Sequence, residues 1–250
     1  MITTTMAELV GLSYSPWTEK ARWALDHHRI SYRYAEHVPM LGEPLLRWKA
    51  RRPTGKVTVP LFVDGGAPVM DSFAIARHVE PRGRGAPLVP YEQLGPIEAW
   101  NARSERALAA ARGLIVARTA RSERAKEEAL PPIIPRSMRP SLTSVATMGL
   151  TFFRLKYDLD EAGEDERRGV IAEHLRALRE GLRGRPHLLD GFTYADITMA
   201  AALQAVRPVD ARYIRLRPAT REAWTDPQLA SEFADLVEWR DALYASHRAT

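Results

Sequence analysis

Cysteine is absent from the 250 residues. That absence excludes a disulfide scaffold, a cysteine-ligated zinc site, a CxxC redox pair and a protein thiol nucleophile. Any thiol chemistry here must use a thiol supplied from outside. No stretch approaches the ~18 consecutive apolar residues of a membrane span, and the opening MITTTMAELV lacks both the basic start and the apolar run of a secretion signal. A cytoplasmic protein with no membrane partner is the expectation. No repeat of 20 to 50 residues and no low-complexity tract is present, which argues against a solenoid. With 45% hydrophobic and 27% charged residues, the chain has the composition of an ordinary folded protein with a large core.

The net charge is +5 and unevenly spread. Residues 1–84 hold 12 Lys and Arg against 8 Asp and Glu, and the remainder holds 24 against 23. Between Arg103 and Arg124 basic residues alternate with Glu105 and Glu123. No aromatic-rich basic strand of the RNA-binding kind occurs, so the reading is an ion-paired, solvated surface with no nucleic-acid partner.

The pattern changes along the chain. Glu8 to Tyr14 reads as a strand feeding a helix, with Trp17, Ala21, Ala24, Leu25 and His28 on one face. Ser15 is a favoured N-cap and Pro16 suits the first helical position, where its missing N–H is no loss. Ser31–His37 alternates like a second strand, Val57–Val63 is a β-branched third, and Gly65 and Gly66 turn into a short strand at Ala67–Met70. Asp71 and Ser72 then open a helix over Phe73–Val79. The segment between the second and third strands is ambiguous. Proline and glycine cluster at Pro81–Pro90, a linker signal. Helical patterns follow at 93–128, broken by PPIIP at Pro131–Pro135, and at 141–157, 163–182, 193–206 and 227–246.

Several of these residues have chemistry of their own. A proline cannot donate to a strand ladder, so Pro60 marks a strand start, an edge or a bulge. Asp71-Ser72 lies at a helix start, where free amides and the macrodipole favour an anion, and an adjacent acid and hydroxyl suit a zwitterion. The plain alternative is a helix cap. Ser15 combines a hydroxyl with a helix N-terminus, a setting that lowers the pKa of a nearby thiol; it also reads as a simple N-cap. Thr193 and Asp196 form a capping box, with Phe192 and Ile197 placed as a hydrophobic staple. His27 and His28 are adjacent rather than four apart, and no acidic cluster accompanies them, so no metal site is expected. One of the two should pack and the other face water. Trp17, Trp23 and Trp100 could line an apolar pocket, and Trp17 is singled out because it neighbours Ser15.

Taken in order, Tyr14-Ser15-Pro16-Trp17-Thr18 with the helix behind it, Val59-Pro60, Asp71-Ser72 and Leu188–Ile197 resemble four segments of the cytosolic glutathione S-transferases. The resemblance spans roughly residues 8–206. It implies an α/β plus all-α architecture: a thioredoxin-like glutathione-binding domain over 1–83, a linker over 84–92 and an all-helical domain over 93–250. It further implies a cis Val59–Pro60 bond whose Val59 backbone pairs with the cysteinyl part of glutathione. Asp71 and Ser72 would hold the γ-glutamyl group. Ser15 would be the catalytic hydroxyl of a serine-type enzyme, with Tyr14 and Thr18 as alternative donors. Lys56 resembles the lysine that contacts the glycyl carboxylate, although Thr58 and Val59 lengthen its interval to the proline. Glutathione would be the co-substrate, its thiolate attacking a small hydrophobic electrophile beside Trp17, in a homodimer used for detoxification. The alternative is a non-catalytic glutathione- or ligand-binding or interaction protein on the same fold.

Overall fold

Alternation along two short strands splits the core of the sheet-bearing unit into two layers. Ala7–Gly11 forms β1, Pro16–His27 α1, Tyr32–Glu36 β2, Glu43–Lys49 α2, Leu61–Val63 β3, Val69–Met70 β4 and Ser72–Val79 α3. The sheet order is β2-β1-β3-β4, with β1 parallel to β2 and the other pairings antiparallel. Successive side chains of a strand point to opposite faces. Leu9 and Phe62 therefore pack with Ala21 and Leu25 of α1 and Ile75 and Val79 of α3. Val10 and Leu61 pack on the other side with Leu46 and Ala50, at and just beyond α2. The result is a mixed sheet covered on both faces.

This computed structural model describes residues 6–130, 134–159 and 163–248. The opening MITTT and residues 131–133 of the PPIIP break lie outside them. The remaining helices are α4 (Leu94–Arg121), α5 (Glu123–Ala129), α6 (Thr143–Lys156), α7 (Glu164–Leu182), α8 (Tyr194–Ala202), α9 (Pro218–Trp224), α10 (Pro227–Glu232) and α11 (Ala234–His247). Two compact units result. One comprises Met1–Asn101, Arg185–Ala201 and Ala242–Thr250; the other comprises Ala102–Gly184 and Ala202–Asp241.

In the second unit a buried carboxylate organises three helices. Asp226 caps α10 by accepting the Leu229 amide at 3.0 Å, and it also accepts Arg118 of α4 at 2.6 Å and Arg168 of α7 at 2.8 Å. Burial pushes its pKa up, but these donors prevail and hold the carboxyl below the ordinary value.

Some elements differ from the sequence expectation. The third strand spans only Leu61–Val63, because Pro60 has no N–H with which to extend the ladder. The first strand stops at Gly11, where the chain turns. The ambiguous segment is α2, in which Leu46 is buried while Leu45 and Trp48 face outward. The capping box is half formed. Asp196 does accept the Thr193 amide at 2.9 Å, but the Thr193 hydroxyl lies 3.4 Å from Asp196 Oδ2 and donates there instead of capping an amide. Asp196 also accepts the Leu188 amide at 2.8 Å. Phe192 stacks on His247 at 4.0 Å between ring centres.

Candidate functional site

The pairing register brings three separate segments to one end of the sheet. Val10 of β1 sits opposite Leu61 of β3, and Leu61 sits opposite Met70 of β4. One residue further along this row come Gly11, Pro60 and Asp71, and Gly11 in turn pairs with Glu36 of β2. Neighbouring strands are about 4.8 Å apart. The turn that leads to Ser15, the Val59–Pro60 step and the Asp71-Ser72 pair thus emerge side by side. The Val59–Pro60 bond is cis.

Gly11 and Thr18 shape the first of these segments. A Cβ at Gly11 would lie 2.4 Å from Thr18 Cγ2, so only glycine admits the packed threonine. Thr18 is completely buried, and its Oγ1 accepts the Leu12 amide at 3.1 Å. That hydroxyl braces the turn from within. Ser13 is tied through its amide to Glu36 Oε1 at 3.1 Å, and the same carboxylate takes the Tyr34 hydroxyl at 3.0 Å. Burial and then the Glu36 charge push the Tyr34 phenol far above its ordinary pKa, so it stays protonated.

Ser15 occupies the N-cap position of α1, with Pro16 following as expected. Its amide donates to Leu12 O at 2.9 Å and its carbonyl accepts the Glu19 amide at 2.9 Å. Its hydroxyl makes no capping bond, which corrects the simple N-cap reading. The side chain is 8% exposed at the head of the helix. Tyr14 and Trp17 flank it, both half-buried.

At the third segment the helix cap is built by half a carboxylate. Asp71 Oδ1 accepts both the Phe73 amide at 3.0 Å and the Ala74 amide at 2.9 Å. Its backbone has φ 79°, in the region that favours glycine, and such strain concentrates at binding sites. Ser72 is fully buried, and its Oγ has no hydrogen-bond partner. Most buried hydroxyls are bonded, so this one calls for an explanation.

The other candidates fall into place around these. Lys56 is exposed on the loop before Val57. Trp23 is core, packed against Tyr244 at 4.4 Å between ring centres with the rings tilted by 57°, and Trp100 is half-buried on α4. His28 is buried with Nε2 2.8 Å from Glu80, whereas the half-buried His27 lies 2.8 Å from the Ala86 carbonyl. Among the described residues no group of three or more His, Cys, Asp or Glu could hold a metal ion, and no helix is long and apolar enough to cross a membrane. Sequence reasoning passed over Gly11, Ser13 and Glu36. Their only signal was a glycine at a strand end and an acid two residues beyond a tyrosine.

Residues 9–87 match the family model "Glutathione S-transferase, N-terminal domain". That segment is thus matched as a glutathione S-transferase N-terminal domain, over about a third of the chain. Solved glutathione S-transferase structures share its architecture. One from Methylobacillus flagellatus, solved with glutathione bound, is 18% identical with a TM-score of 0.60, covering 95% of this chain and 94% of that one. Glutathione transferase GSTFuA2 from Phanerochaete chrysosporium is 17% identical with a TM-score of 0.66, covering 98% and 99%. A β-etherase from Sphingobium is 16% identical with a TM-score of 0.62, covering 96% of each chain. At these identities the likeness is one of fold: a glutathione S-transferase N-terminal domain with a large helical portion. No curated protein matches the sequence.

Proposed function

We propose that this protein is a glutathione S-transferase that binds glutathione at the end of the sheet where Gly11, Pro60 and Asp71 align, and uses its thiolate against a small hydrophobic electrophile. The observation that carries the reading is Asp71-Ser72: a strained acid that caps α3 through Oδ1 alone, beside a buried hydroxyl without a partner. The γ-glutamyl end of glutathione presents an ammonium and a carboxylate together. Asp71 accepts from the ammonium through Oδ2, and the Ser72 hydroxyl with the α3 N-terminus receives the carboxylate. Val59 offers its backbone to the cysteinyl residue, and Lys56 reaches the glycyl carboxylate.

The thiol then lies over the head of α1. Ser15 donates its hydroxyl hydrogen to sulfur, and together with the helix N-terminus it stabilises the thiolate once the proton has left to solvent. The sulfur lone pair forms a C–S bond at the electrophilic carbon beside Trp17. The displaced group departs with its bonding pair, or an added carbanion takes a proton from water. Tyr14 is the alternative donor; Thr18, whose oxygen already serves Leu12, is a weaker one. A homodimeric, cytoplasmic detoxification enzyme completes the reading. Sedimentation giving only a 28.1 kDa species would remove the dimer.

The decisive experiment follows ultraviolet thiolate absorbance of the glutathione complex against pH. The parent should lower the thiol pKa, and Ser15→Ala should raise it again and slow turnover roughly ten- to a hundredfold, the loss of a hydrogen bond to a charged group worth ~1.5–3 kcal/mol. A shift confined to Tyr14→Phe would move the donor to Tyr14. Glutathione binding with no lowering of the thiol pKa would leave a binding protein in place of an enzyme.

A further inference from the structure

The helix that begins at Ser15 is held along one face by a short distant segment of the same unit. Glu19, Trp23 and Asp26 follow one another at four- and three-residue spacing, so they share a face of α1. Arg248 spans that face, with Nε 2.7 Å from Glu19 Oε1 and Nη1 2.7 Å from Asp26 Oδ2. Between them Trp23 Nε1 donates to the His247 carbonyl at 3.1 Å. Arg248 is 7% exposed and Glu19 1%, so this is a buried ion pair. Burial opposes the charge on Arg248, and the two carboxylates overcome that, holding the guanidinium above its ordinary pKa. Among the described residues the other charged groups here are Arg22, 3.8 Å from Glu19 Oε2, and Lys20, fully buried with Nζ 3.2 Å from Thr198 Oγ1; the Tyr32 hydroxyl donates to Asp26 at 3.0 Å.

Glu19 is one turn below Ser15, to whose carbonyl its amide donates. Four residues apart, Glu19 and Ser15 lie on the same side of α1, so the buried Glu19 is within about one helical turn of the head of the helix where the thiolate would form. A buried carboxylate there opposes a second negative charge unless it is neutralised. We infer that Arg248 is a positioning residue for thiolate formation, acting through Glu19: it cancels the charge of that carboxylate and fixes the face of α1 below Ser15. This rests on the glutathione reading above.

The test reads the thiol pKa of bound glutathione in Arg248→Met, Glu19→Gln and the double variant, with calorimetric affinity and thermal unfolding measured alongside. Arg248→Met should raise the thiol pKa by about one unit, roughly a tenfold loss of thiolate below neutrality. Glu19→Gln should move it the opposite way, and the double variant should return close to the parent. A purely structural role would shift every variant upward, the double one most. An unchanged pKa in folded Arg248→Met, or an upward shift in Glu19→Gln, overturns the inference while leaving glutathione binding intact. A parent that binds no glutathione overturns both. Should Arg248→Met not fold, the direction of the Glu19→Gln shift decides alone, a fall supporting the inference and no change or a rise ending it.

Discussion

His78 Nε2 stands 2.8 Å from Asp64 Oδ2, tying the last turn of α3 to the turn between β3 and β4. Arg82 and the Gly66 amide donate to the same carboxylate. Burial raises the pKa of Asp64, but these partners outweigh it and the group titrates below its ordinary value. The far end of this helix bears Ser72. His78→Ala should lower stability by up to ~1 kcal/mol, or about 2–4 °C in Tm, since the pair is only partly shielded from solvent. Thermal unfolding at pH 7.5 checks it.

Cap and ligand contact can be separated at Asp71. Asn caps helices as well as Asp does, but it carries no charge for an ammonium. Asp71→Asn should keep the melting temperature of the parent and weaken glutathione binding roughly tenfold, consistent with the loss of one charged hydrogen bond. Asp71→Ala should lose both. Equal calorimetric affinity in Asp71→Asn and the parent would remove the acid from the site.

Gly11→Ala should be destabilising by about 1–3 kcal/mol, because its methyl group would fall 2.4 Å from Thr18 Cγ2 in a packed interior. Denaturant unfolding measures this. Adding Thr18→Ser, which deletes that methyl but keeps the bond to Leu12, should recover part of the loss.

A fourth expectation concerns pH. His27 and His247 both lie against Phe192, at 5.9 and 4.0 Å between ring centres, and both have their pKa lowered, first by burial; His174 is lowered in the same way. A lowered folded-state pKa gives stability that is present above the unfolded value of 6.5 and lost as pH falls toward the folded one. Melting temperature should therefore drop between pH 7 and pH 5, and His247→Gln should make that drop smaller. A flat profile in the parent would contradict this.

The strands and helices at each end of the site were legible because they obey simple periodicities. Leu9 and Val10 alternate, and Asp71 announces α3 by its capping chemistry. What the pattern could not convey was how groups are used once neighbours arrive. Ser15 stands at the N-cap position, yet its hydroxyl is not spent on the helix. Thr193 donates to the acid beside it when a cap was expected. The short helix Pro218–Trp224 lacks the long apolar stripe that revealed the others, and Glu128 accepts its Ala219 and Thr220 amides from 91 and 92 residues away. Arg248 and Glu19 are 229 positions apart. No local spacing relates them.

That separation has a consequence for how the protein is made. The unit containing the sheet includes residues 185–201 and 242–250 as well as 1–101. During synthesis, at about 5–20 residues per second, α1 leaves the ribosome well before the segment that holds Arg248, 229 residues after Glu19. Its buried Glu19 nevertheless waits for residue 248, and Trp23 waits for Tyr244 and His247. The surroundings of α1 are thus completed long after the helix itself is made, and a nascent chain halted before residue 242 presents α1 with one face still open to water.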